Sequence, residues 1–176
     1  MLEIKFNVKV SININNNLLI FKGPRGVSSL FIFNSNIIKI VLNCTYNSIT
    51  VKSNKKNYLN LYSSLIKQKI KGVLCGYRKT ILIKGVGYKF ILIDKNDNFF
   101  KLKIGYSHLI DIKIPSNISL LHLRKNSITF FSNDLVELTR FIFLIKSYKK
   151  TNFYKSKGLL LKDENIKLKE IKKNKK

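Results

Sequence analysis

TILIKGVGYKFILIDKNDNFFKLKI, residues 80–104, decides how the rest of the chain reads. Residues 80–84, 88–93 and 99–104 run apolar or alternate, and glycine or Asp/Asn clusters separate them, which is the pattern of strands. The connection Asp94-Lys95-Asn96-Asp97-Asn98 is too short for a crossover, so the strands are expected to be antiparallel, and the glycines at 85 and 87 fit a tight strand-to-strand approach. The same pattern continues through residues 110–114, 119–124 and 127–131. Asp134 and Glu137, in capping-box spacing, then open a helix through Leu135, Leu138, Phe141, Ile142 and Ile145. It ends on Lys146, Lys149 and Lys150, where positive charge favours the helix dipole.

Upstream, the first half repeats this order. Strands are expected at residues 18–22, 27–33, 37–42 and 48–52, with turns at Gly23-Pro24-Arg25-Gly26 and Asn34-Ser35-Asn36. A helix capped by Asn57 follows. Tyr58, Leu61, Tyr62, Leu65, Ile66, Ile70 and Val73 recur at helical spacing, and Gly72 or Gly76 ends it. The expected fold is therefore α+β: two similar small units, residues 1–76 and 77–150, each a mainly antiparallel sheet covered by one helix. Both halves contain a strand ending in Lys-Gly, at Phe21-Lys22-Gly23 and Ile83-Lys84-Gly85, which agrees with a duplication. Residues 151–176 are expected to form a basic C-terminal arm, extended until its charges meet a partner. A chain ending at Lys150 is accordingly expected to keep its fold.

The charge excludes an ordinary neutral enzyme. Lys plus Arg number 34 against 9 Asp plus Glu in 176 residues, a net charge of +25, while 45% hydrophobic residues provide a core. A chain of this length buries about two-thirds of its unfolded surface, so a wholly disordered tail is excluded as well. Such a balance predicts a polyanionic partner, since neutralised phosphates release their counterions. Lysines outnumber arginines 30 to 4, which favours backbone phosphate contact over base reading. Lys, Ile and Asn together make 75 residues, and Ala and Trp are absent. That skew is what A/T-rich codons produce, and it points to an organelle genome.

Cys44 and Cys75 form no CxxC pair, so a reduced compartment is expected. MLEIKFNVKV at the N-terminus is too charged for a signal peptide, and its Glu3 and lack of Arg argue against a transit peptide. The longest purely apolar run, residues 141–145, falls far short of the roughly 20 residues of a membrane span.

Catalytic and metal-binding readings fail on residue type and spacing. Ser107 and His108 are adjacent, and neighbouring side chains of an extended segment point to opposite faces. His122 falls in a strand-like run. Asp94, Asn96 and Asn98 begin like a calcium loop, but its sixth place is Phe99 and its twelfth is Gly105. Gly85-Val86-Gly87 lacks the third glycine of a dinucleotide fingerprint. No catalytic residue, metal site or cofactor is expected. In Tyr148-Lys149-Lys150-Thr151-Asn152-Phe153-Tyr154-Lys155-Ser156-Lys157-Gly158, by contrast, aromatic rings alternate with cations. Lysines of such a segment can hold phosphates while a ring stacks on an unpaired base. Alternatively, Phe153 and Tyr154 anchor the arm to the second unit.

Four motifs taken in order carry a family resemblance: Gly85-Val86-Gly87-Tyr88-Lys89, Leu102-Lys103-Ile104-Gly105-Tyr106-Ser107-His108, Ile114-Pro115, and Tyr154-Lys155-Ser156-Lys157-Gly158. In order and spacing they closely resemble bacterial-type ribosomal large-subunit protein six. Lys22-Gly23-Pro24-Arg25-Gly26 is similar to that family's first-half turn. The resemblance implies a duplicated fold, no catalysis, and binding to large-subunit ribosomal RNA near the sarcin-ricin loop and the base of the factor-binding stalk. Neighbouring ribosomal proteins are the other partners implied, with no membrane and no small-molecule substrate. The RNA-binding residues implied are Lys149, Lys150, Tyr154, Lys155, Lys157, Gly158, Ser107 and His108, with Lys162, Lys167, Lys169, Lys172 and Lys173 of the lysine-rich end. Gly85, Gly87, Tyr88, Gly105 and Tyr106 belong to the central motifs. Thr151-Asn152-Phe153 stands where the family has prolines, which is expected to leave the arm's path less fixed, and Leu109 replaces another proline. The composition adds a mitochondrial ribosome as the expected location, with a plastid-type organelle or a bacterial cytoplasm as alternatives. A general nucleic-acid-packaging protein and an RNA-processing enzyme are the rival functions.

Overall fold

A computed structural model describes residues 2–33, 38–43, 47–94 and 99–170. The chain divides into two compact units. The first is built from the chain up to Tyr77 together with Asn133–Leu135, the second from Arg78–Ser132 and the chain from Val136 on.

In the first unit, β1 (Leu2–Lys5), β6 (Ser48–Ser53) and β5 (Ile38–Asn43) form one antiparallel sheet in that order. A second sheet is the meander β2 (Ser11–Asn15), β3 (Leu18–Gly23) and β4 (Gly26–Phe31). Helix α1 (Lys56–Cys75) packs on β1, β3, β4 and β6. Leu59, Tyr62, Ile66, Ile70 and Val73 come from one face of α1 and meet Ile4, Leu19, Phe21, Ile49 and Val51 in the core. The helix begins one residue before the expected cap, so Asn57 lies inside its first turn. It ends where the Gly76 amide donates to Gly72 O at 2.9 Å. On the buried side of α1, the Lys69 ammonium lies 2.5 Å from the Asp134 carboxylate.

The second unit has the same plan. β7 (Tyr77–Lys84) and β11 (Ile118–Arg124) flank β12 (Ser127–Ser132), while β8 (Lys89–Asp94), β9 (Phe99–Lys103) and β10 (Ile110–Lys113) form an antiparallel meander. Helix α2 (Leu135–Tyr148) buries Leu138, Phe141, Ile142 and Ile145. Four phenylalanines join the layers. Phe90, Phe100, Phe130 and Phe141 follow one another at centroid separations of 6.3, 5.8 and 5.2 Å, in tilted or edge-to-face arrangements.

In both units the last strand lies between the first and the next-to-last, the middle three form a meander, and a helix follows. This is the α+β class and the repetition that the sequence predicts, with the strands of each unit shared between two sheets. The two Lys-Gly pairs are not equivalent, however: Lys22 ends β3, in the meander, and Lys84 ends β7, the first strand of its unit. The duplication therefore rests on strand order alone.

Three strands escape the sequence reading. β1 and β2 are short and open the chain, and Asn13 and Asn15 weaken the strand signal of Ile12 and Ile14. The third, β13 (Gly158–Leu161), corrects the expectation of an unpacked arm. It pairs antiparallel with β7 and buries Leu159 and Leu160. A chain ending at Lys150 would lose this strand and its pairing with β7. The predicted turn at residues 34–36 and the Asn96 and Asn98 of the supposed calcium loop lie outside the described residues, as does Cys44. Cys75 is free and exposed. No described helix is long and apolar enough to cross a membrane.

Candidate nucleic-acid interface

Two motifs about twenty residues apart in sequence meet at one ring. A Cβ on Gly85 would lie 2.7 Å from Tyr88 Cδ2, and one on Gly105 would lie 3.0 Å from Tyr88 Cε1. Both positions therefore leave room for the tyrosine, and the turn closes with the Tyr88 amide donating to Gly85 O at 3.3 Å. Gly87 faces open space, and Val86 stands at the turn's exposed tip.

The loop after β9 is shaped by Tyr106. Its hydroxyl donates to Tyr148 O at 2.9 Å, at the end of α2, and the Lys149 ammonium sits 4.9 Å from its ring centroid. His108 lies almost parallel to it, 6.1 Å away at 19°. Ser107 and His108 are exposed on a bend between strands, where the extended-chain argument about opposite faces does not apply. His122 is exposed on β11, beside a bulge. Among the described residues no three His, Cys, Asp or Glu side chains gather as a metal site.

The segment from Lys149 to Gly158 forms a closed lobe. Leu159 N donates to Lys149 O at 3.2 Å, and Asn152 N donates to Lys157 O at 2.8 Å. Within the lobe, Asn152 Oδ1 accepts from the amides of Tyr154 and Lys155 at 2.8 and 3.3 Å. Asparagine thus turns the backbone where the resembling family has proline, through its side-chain oxygen. The lobe presents Lys150, Lys155 and Lys157 to solvent, with Phe153 and Tyr154 each 54% exposed. Gly158 closes it at φ +136°, where a Cβ would come 2.8 Å from Thr151 Cα and 2.9 Å from Lys150 O.

Beyond β13 the chain runs back along the unit. Lys162 N donates to Thr80 O at 3.0 Å, and Lys169 N donates to Phe153 O at 3.1 Å. Two nearby acids are already engaged: Asp163 lies 3.8 Å from Lys79, and Glu164 lies 2.5 Å from Lys146. The hydrogen bond from Lys146, helped by the Leu161 amide and opposed by burial, holds the Glu164 carboxyl below its ordinary value. Among the described residues, Lys149, Lys150, Lys155, Lys157, Lys162, Lys167 and Lys169 form no ion pair with a carboxylate. Their positive field is not cancelled by a paired carboxylate. Lys172 and Lys173 lie outside the described residues. Asn152, Leu159 and Leu160 shape the lobe and its anchoring strand, and the motifs do not single them out. An Asx-turn signal would have found the first.

No protein-family model matches the chain. Curated relatives do. It is 36% identical to large ribosomal subunit protein uL6m of Reclinomonas americana, over 97% of this chain and 96% of the relative. To uL6 of Mycoplasmoides gallisepticum it is 32% identical, over 89% and 86%, and to uL6c of Guillardia theta 31% identical, over 90% and 87%.

Proposed function

The chain belongs to the uL6 family of large ribosomal subunit proteins, and from that premise we propose that its second unit, through the lobe at residues 149–158 and the lysines after β13, is what docks it on large-subunit ribosomal RNA. It is a structural constituent of the large subunit and not an enzyme, and as such it associates with ribosomal RNA and other ribosomal proteins. The observation that carries the docking surface is the set of unpaired lysines beside two half-exposed rings on a lobe closed by Asn152 and Gly158. Lysines meet phosphates there, and Phe153 and Tyr154 are free to stack on bases or ribose.

The RNA address is the sarcin-ricin region and the base of the factor-binding stalk, which follows from the family resemblance of the central motifs. The ribosome is mitochondrial. The A/T-rich composition and the uL6m relative support that location, with the plastid and bacterial relatives marking the alternatives. A packaging protein would share the charge without needing the cradle that Gly85 and Gly105 make for Tyr88.

Filter binding of the full chain to a transcribed large-subunit RNA fragment, across a salt series, tests the surface. Replacing Lys155 and Lys157 together by Ala should weaken binding and lower the salt slope by roughly 0.7–0.9 for each phosphate that is no longer neutralised. An unchanged slope would place the phosphates elsewhere. Equal affinity for duplex DNA would favour packaging.

A further inference from the structure

A groove of about 460 Å³ opens beside the lobe, lined by Tyr106, His108, Leu109, Ile110, Asp111 and Tyr148. Its walls combine three features. Tyr106, His108 and Tyr148 supply aromatic surface, and all three side chains reach solvent, with Tyr106 45% exposed and Tyr148 36%. Lys149, with its ammonium 4.9 Å from the Tyr106 ring centroid, puts a cation beside one of the lining rings. Asp111 lines the groove as well. It lies 3.6 Å from Lys101, and its side chain is 59% exposed, so acceptor positions remain open.

We propose that this groove receives the unstacked base of one ribosomal RNA nucleotide, with the ring held against Tyr106, His108 and Tyr148, the adjoining phosphate met by Lys149, and an exocyclic amino group donating to Asp111. The inference rests on the second unit being the RNA interface. A π-face recognises any base, since stacking is tolerant of sequence. The carboxylate narrows the choice: it only accepts when ionised, so it suits adenine, cytosine or guanine, which carry an amino group, over uracil, which has none. A flanking lysine fits an occupant with a charged backbone, which an apolar peptide side chain does not have.

Ultraviolet irradiation of intact ribosomes containing the full chain, followed by mapping of the crosslinked peptides and nucleotides, tests this directly. The expected result is a crosslink from Tyr106, His108 or Tyr148 to an adenine, cytosine or guanine. Crosslinks confined to residues 149–169 would keep the RNA interface and overturn the groove. A crosslink from the groove to uracil would overturn the role of Asp111, and one from the groove to another ribosomal protein would overturn the nucleotide as occupant. No crosslink to RNA anywhere would count against the interface reading itself. A second measurement uses Tyr148→Leu, which keeps the backbone carbonyl that Tyr106 bonds. Affinity for the transcribed RNA fragment should fall about 5- to 150-fold, the range for removing one ring from a stacked base, at an unchanged salt slope. Unchanged affinity, or a fall accompanied by a shallower slope, would contradict a stacked base.

Discussion

Single residues fix the lobe and the buried ion pair of α1. Gly158 sits in a left-handed region with backbone atoms of Lys150 and Thr151 in the space a Cβ would fill. Gly158→Ala should therefore cost roughly 1–3 kcal/mol in urea melts and loosen the lobe, because the strain has no flexible side chain to absorb it. Asn152→Ala removes one acceptor from two amides, so it should weaken RNA binding more than it weakens the fold. Filter binding and urea melts on the same variant separate the two effects. Lys69 is 7% exposed and paired with Asp134. Asp134→Ala leaves that ammonium buried without its carboxylate, and a loss of roughly 3–5 kcal/mol in the same melts is expected.

At the scale of elements, β13 and the chain after it do different work. Leu159 and Leu160 fill the core next to β7, so Leu159→Ala should cost about 2–5 kcal/mol. A chain ending at Asn165 keeps β13 and the bond between Lys146 and Glu164. Having lost, among the described residues, only the bond from Lys169 N to Phe153 O, it should melt close to the full chain but show a shallower salt slope in RNA binding, because Lys167, Lys169 and the lysines beyond them are gone. The Glu164 carboxyl is held below its ordinary value of 4.5. Its contribution is therefore present above that value and is lost as pH falls through the lowered one. Relative to Glu164→Gln, the full chain should lose its advantage over that acid range and keep it at neutral pH, as melts at several pH values would show. Most of this architecture was legible in the sequence. Among the described residues, alternating or apolar runs marked ten of the thirteen strands, and helical spacing marked both helices. What stayed hidden has physical causes. Gly158-Leu159-Leu160-Leu161 is four residues inside a lysine-rich segment, and only pairing with a strand 74 to 80 residues upstream makes it a strand. Asn152 replaces proline by a different device, side-chain acceptance in place of a fixed φ, which motif matching reads as a loss.

For the whole molecule, the decisive property is an excess of cations over acids that the fold does not neutralise. Lys69, Lys79, Lys101 and Lys146 pair with Asp134, Asp163, Asp111 and Glu164, and those pairs consume four of only nine acidic residues. A chain so charged repels itself, and binding to a folded polyanion relieves that repulsion. The charge count and the motifs already carry this property. The groove beside Tyr106 was out of their reach, because it joins residues of the β9–β10 connection and the end of α2 that only the tertiary fold brings together. The most direct test of the central claim is sedimentation of a lysate from the source cells through a sucrose gradient, at a salt concentration that strips loosely held basic proteins, with detection of this chain in every fraction. The chain is expected to travel with the large ribosomal subunit. A chain that stays at the top of the gradient, or follows the DNA, would contradict that claim.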